Sequence, residues 1–103
     1  MKDFTVISAM IKDELDGAEN YIKEAIRVRE EDPTASELYF NHARDEMKHA
    51  DELHELAVKK IRTYRAEQGE PPAPMQAVYD FLHEAHMERA SRIHWYITKY
   101  TEK

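Results

Sequence analysis

Three side chains combine metal-binding chemistry with suitable spacing: Glu14, Glu46 and His49. Glu46 and His49 lie three residues apart, so on a helix they share a side, and a carboxylate and an imidazole one turn apart can reach a single ion. Glu14 stands in a helical apolar stripe of Phe4, Ile7, Ile11, Glu14, Ala18, Tyr21, Ala25 and Val28, where steps of three and four place all eight on one face. Leu15, Ile22 and Ile26 widen the stripe, which predicts a Glu14 well inside it. A second stripe of Tyr39, Ala43, Glu46, Ala50, Leu53, Ala57, Ile61 and Tyr64 is interrupted the same way by Glu46. A carboxylate facing a core must be protonated, paired or bound to a cation, because burying the lone anion is costly.

A Glu-x-x-His helix joined by a Glu from a neighbouring helix is the repeating unit of di-iron carboxylate bundles. An oxygen-rich donor set with one imidazole per ion suits iron or manganese, with zinc as a competitor. The competing reading is a helical assembly without metal, in which Glu14 pairs with Lys48 or both carboxylates are held by hydrogen bonds. Other ligand-type residues have plainer roles. His86 shares a stripe with Tyr79, Leu82, Ala90, Ile93, Ile97 and Tyr100, with no carboxylate among them, so packing is favoured over a ligand or proton-shuttle role. His42 reads as a flank of the Glu46 face, His83 as solvated, and His54 and His94 as surface or boundary residues. Trp95, Tyr96 and Tyr100 form an aromatic end expected to bury against a helix of this or another subunit.

The elements that must position these residues are helices. Proline and glycine punctuate the chain in two places, Glu30–Thr34 and Gly69–Pro74. Between them the periodicity predicts helices over about 4–29, 33–67 and 74–100, with Asp3 able to cap the first. Pro33 suits the first position of the second helix, and Thr34 with Glu37 has capping-box spacing. The first two helices would be about 40 and 50 Å long and antiparallel. This divides the chain into a hairpin with the ligand-type residues (1–68), a Pro-rich hinge (69–74) and a third helix (75–103) for packing or oligomerisation. The hinge leaves that helix free to pack beside the hairpin or on another chain.

Composition narrows the function classes. The chain has 103 residues, 35% charged and 42% hydrophobic, with two glycines, no cysteine and a formal net charge of −6. That is one domain, small enough to make self-association an early expectation. Absent cysteine excludes disulfides, thiolate metal sites and cysteine nucleophiles. Acidity argues against phosphate-backbone binding, since the basic group Lys59, Lys60, Arg62 and Arg65 falls near a helix C-terminus, where cations are stabilising anyway. No apolar run is long enough to span a membrane. Phe4 to Ile11 is interrupted by Thr5 and Ser8 and is not followed by a cleavage pattern, so a cytoplasmic protein is expected. Two isolated glycines cannot make a phosphate loop, and Ser8, Ser36 and Ser91 have no His and Asp at nucleophile spacing.

Two segments resemble the ligand helices of bacterioferritins. Glu14-Leu15-Asp16-Gly17-Ala18-Glu19-Asn20, followed by Glu24-Ala25-Ile26, resembles their first ligand helix, and Asp45-Glu46-Met47-Lys48-His49-Ala50-Asp51 resembles their Glu-x-x-His helix almost letter for letter. The likeness covers roughly residues 10–62. It implies that Glu14, Glu46 and His49 are iron ligands, that Tyr21 is a tyrosine just behind them, and that Asp45 orients the ligating histidine. Met47 stands where bacterioferritins carry their haem-binding methionine, although packing is the stronger reading. A full ferritin-like bundle holds two such halves in one chain, and this chain has one. The resemblance is therefore to encapsulated ferritins, short chains with a helical hairpin and a third helix that build their site between subunits and assemble as rings of dimers. It implies an all-α fold that becomes a ferritin-like four-helix bundle on dimerisation, and a homodimer or larger even-numbered oligomer. The implied activity is ferroxidase chemistry at a di-iron site, for iron storage or detoxification, with a rubrerythrin-like peroxide-reducing protein as the alternative. Manganese or zinc are alternative metals. An encapsulin shell is a possible partner by this resemblance, but Lys99-Tyr100-Thr101-Glu102-Lys103 does not resemble a shell-targeting peptide.

Overall fold

The computed structural model describes residues 2–102, which form three helices and, among these residues, no strand. α1 spans Lys2–Arg27, α2 Pro33–Gln68 and α3 Ala73–Thr101. Each junction has a local cause. Asp32 caps α2, its carboxylate accepting the Ala35 N–H at 3.1 Å, and Pro33 follows where no N–H is needed. The cap is therefore Asp32, not the Thr34–Glu37 box. Gly69 stops α2 with φ +80°, a conformation that strains any residue with a Cβ, and its N–H bonds the Arg65 carbonyl at 3.0 Å. Asp3 sits inside the first turn of α1, where it suits the helix dipole, and its carboxylate lies 3.6 Å from Lys60.

The pairings run in register along the molecule. Asp3 meets Lys60, Glu14 meets His49 and Ala25 meets Ser36, so α1 and α2 are antiparallel. Phe4 meets Tyr79, Glu19 meets Arg89 and Arg92, and Arg29 meets Tyr100, so α3 runs parallel to α1. The result is an up-down-up rod of 55 × 18 × 17 Å in which α3 lies chiefly along α1 and touches α2 sparsely. Of the two dispositions open to the third helix, the chain adopts the one beside its own hairpin.

The core is built from Phe4, Ile7, Ile11, Leu15 and Ala18 of α1, Met47, Ala50 and Ala57 of α2, and Tyr79 and Ile93 of α3. Ala43, Ala50 and Ala57 recur every seven residues and are buried, which lets α1 approach α2 closely. Fully buried Ile22 and Ile93 each contribute about 1.5–3 kcal/mol by removing apolar surface from water.

Two polar clasps hold α3. Glu19 is buried on α1 and accepts hydrogen bonds from Arg89 Nε at 3.1 Å and from Arg92 Nε and Nη2 at 2.8 and 3.2 Å. Arg89 also pairs with Asp16. At the far end, Ser36 Oγ donates to the Ala25 carbonyl at 2.6 Å and lies 2.9 Å from the Tyr100 hydroxyl, while Arg29 Nη2 donates to the Tyr100 carbonyl at 2.8 Å. Tyr100 also stacks on Phe40 with ring centres 4.5 Å apart. The aromatic end of α3 therefore divides: Tyr100 is anchored, whereas Trp95 is 56% exposed against Tyr96 and Lys99. Among the described residues, no helix is long and apolar enough to cross a membrane.

Candidate metal centre

Glu14 on α1 and Glu46 and His49 on α2 converge, each offering a ligand-type atom within 4.8 Å of the others. Antiparallel register brings Glu14 opposite the Glu-x-x-His turn, and Gly17, one turn after Glu14, leaves room for the Glu46 carboxylate. A Cβ at Gly17 would lie 3.1 Å from Glu46 Oε2, so the absent side chain is the space that the carboxylate occupies. Glu14 Oε2 sits 3.4 Å from His49 Nδ1, too poorly aligned for a hydrogen bond, and is buried without a donor.

The electrostatics of the cluster are those of two carboxylates sharing one place. The Glu14 carboxylate beside it, together with desolvation, pushes the Glu46 carboxyl up to about 7; His49 pulls weakly the other way. Two anions in contact cannot both stay charged without a cation, so the pair holds a proton near neutrality. A divalent ion would substitute for that proton. The orphaned Glu14 oxygen and the O,O,N donor set fit iron or manganese.

The cluster lies at the margin of the hairpin. The buried line of α1 passes through Ile11, Leu15, Ala18 and Ile22, while Glu14 and Tyr21 are half-buried beside it. This corrects the expectation of a Glu14 well inside the stripe: the close packing of α1 on α2 centres the contact on Leu15 and Ile22, and the Glu14 side chain keeps 27% of its exposure. His49 is 53% exposed and faces out of the hairpin.

The neighbouring residues fall into place around this margin. Tyr21 lies between Tyr39, at 6.3 Å, and His42, at 5.0 Å edge-on. No hydrogen bond joins Tyr21 to the three clustered residues among those described. Asp45 is exposed and forms neither hydrogen bond nor ion pair with His49; its charge acts on Glu46, helping to raise it. Lys48 is exposed and does not pair with Glu14. Met47 is a core residue at 4% exposure. His86 is half-buried on α3 and outside the cluster, close instead to His54 and His83. The sequence gives no sign of that grouping, because His54 and His83 come from different helices and each alone looks like a surface residue.

No family model, curated protein or solved structure matches this chain.

Proposed function

We propose that this chain is a ferritin-like half-bundle whose two-fold homodimer forms a di-iron ferroxidase centre from Glu14, Glu46 and His49 of each copy. The observation that carries the reading is the convergence of those three side chains from two helices. One set supplies three ligands, enough to hold one ion loosely; two sets supply four Glu and two His, the full complement of a di-iron carboxylate bundle. The open side of the cluster supports a partner copy. Exposed Met10 leads into Glu14 on α1, and exposed Leu56 follows His49 on α2, so apolar surface flanks a half-buried polar centre. In the dimer, α1 and α2 of both copies would make the four-helix bundle.

Bound iron would supply a ferrous–ferric couple able to pass electrons to oxygen or peroxide. The chain's own residues set the conditions. Glu14 and Glu46 provide negative charge that favours the ferric state, and Glu46 must release its proton as the ion enters, so uptake strengthens as pH rises through about 7. His49 would supply an imidazole nitrogen to the ion, and its exposure leaves the cluster open to oxidant or partner. Tyr21, within two turns of Glu14, is placed to act on the site only after the partner packs or its ring turns. The acidic surface, at net charge −6, favours cation approach at low ionic strength.

The deciding experiment is anaerobic loading with ferrous iron, elemental analysis, and assembly mass by light scattering, followed by oxygen uptake. About one iron per chain in an even-numbered oligomer, lost in Glu46→Ala and Glu14→Ala, is the expected result. A folded oligomer that takes up no stoichiometric metal would sink the reading and favour a helical assembly in which the Glu14–Glu46 pair simply shares its proton.

A further inference from the structure

A second group of metal-ligating side chains lies outside that cluster. His54 of α2 and His83 of α3 face each other with ring centres 5.2 Å apart and planes inclined by 32°. Two imidazoles that hold one tetrahedral ion at about 2.1 Å have ring centres about 5 Å apart. His86 follows His83 by one helical turn, and all three histidines line one cavity of about 320 Å³ between the helices. Asp80, three residues before His83, lines the same cavity, as do Arg62 and Arg65.

We propose that His54 and His83, with His86 as a third donor after side-chain rotation, form a site for a borderline divalent ion such as zinc or copper that ties α2 to α3. Donor chemistry separates it from the carboxylate cluster: an imidazole set selects copper and zinc, whereas the O,O,N set suits iron and manganese. Burial, with His54, His83 and Arg89 nearby, lowers the His86 imidazole from its ordinary value. The position gives the site a consequence. α3 packs on α1 and meets α2 sparsely, so an ion shared by His54 and His83 would bridge the two helices that the core joins least. Binding the folded chain alone, it would raise the melting temperature.

The site is independent of the ferroxidase reading, and the test keeps them apart. The full chain carrying Glu46→Ala is dialysed against zinc, and bound metal is counted. About one zinc per chain is expected to remain, with a raised melting temperature. On that background His54→Ala and His83→Ala should each weaken binding by about tenfold or more, His86→Ala by a few-fold, and His94→Ala not at all. Loss of zinc with Glu46→Ala alone would place the ion at the carboxylates and overturn the proposal, as would zinc binding indifferent to His54→Ala and His83→Ala. Copper added to the same Glu46→Ala chain, with its histidines intact, gives a readout that does not depend on a histidine variant folding: a paramagnetic resonance spectrum with two or three coordinated imidazole nitrogens is expected, and one nitrogen refutes the site.

Discussion

Gly17→Ala separates helix stability from metal affinity in one substitution. Glycine inside a helix is worse than alanine by about 0.5–1 kcal/mol, because the unfolded chain loses more freedom on ordering it. Gly17 lies within α1 without a positive φ, so its backbone suits alanine. The new Cβ would stand 3.1 Å from Glu46 Oε2 and 3.4 Å from its carboxyl carbon. That contact is tight by a few tenths of an ångström, and the atoms that must yield are the far end of a flexible side chain, so the steric cost to the metal-free fold is small. The metal-free protein should therefore unfold at higher urea concentration, by up to about 1 kcal/mol. Metal binding should move the other way, since ligand distances tolerate about 0.2 Å and the displaced oxygen belongs to a proposed ligand. A loss of about tenfold or more in ferrous-iron affinity is expected. Paired urea denaturation and anaerobic titration measure the two effects. Unchanged iron affinity would refute the role given to Glu46, and a metal-free protein destabilised by more than about 1 kcal/mol would show that the carboxylate is locked, not yielding.

Three further predictions follow from the polar contacts. The Glu46 carboxyl is raised from 4.5 to about 7, chiefly by Glu14, so the folded metal-free chain binds more protons than the unfolded one in that window; its stability should be greatest at the acid end and fall as pH rises through about 7, by about 1–2 kcal/mol once solvent at this half-buried site is allowed for. Chemical denaturation across pH 5–8 should show that slope in the native chain and lose it in Glu14→Gln. Glu19 has the opposite sign: hydrogen bonds from Arg92, then Arg89, lower its carboxyl, so its contribution is present above about pH 4.5 and is lost as pH falls through the depressed value. Glu19→Gln should cost about 1–3 kcal/mol, since Arg92 is half-exposed, and amide exchange should quicken first in α3. The Tyr79 hydroxyl is buried with no hydrogen-bond partner, so Tyr79→Phe should leave stability unchanged or raise it by about 1 kcal/mol in a thermal melt; a clear loss would reveal a bond to that oxygen.

Local chemistry and tertiary register divide this protein between them. Helix placement was legible because it rests on near-neighbour effects: periodic apolar residues, Pro33 at a helix start and Gly69 at a helix end act within one or two turns. The shared side of Glu46 and His49 was legible for the same reason, because i and i+3 coincide on any helix. Everything that depends on two helices meeting had to come from their packing. The buried alanines of α2 set how closely α1 approaches, and that approach centres the contact on Leu15, moves Glu14 to the margin and makes Gly17 the space beneath Glu46. Glu19 shows the same limit. It reads as one more acidic residue on an acidic helix, yet it is buried because Arg89 and Arg92 arrive from a segment 70 residues away. His54 and His83 are surface histidines in one dimension and neighbours in three. Periodicity tells a residue which face of its own helix it occupies; the register and spacing between helices decide what stands opposite.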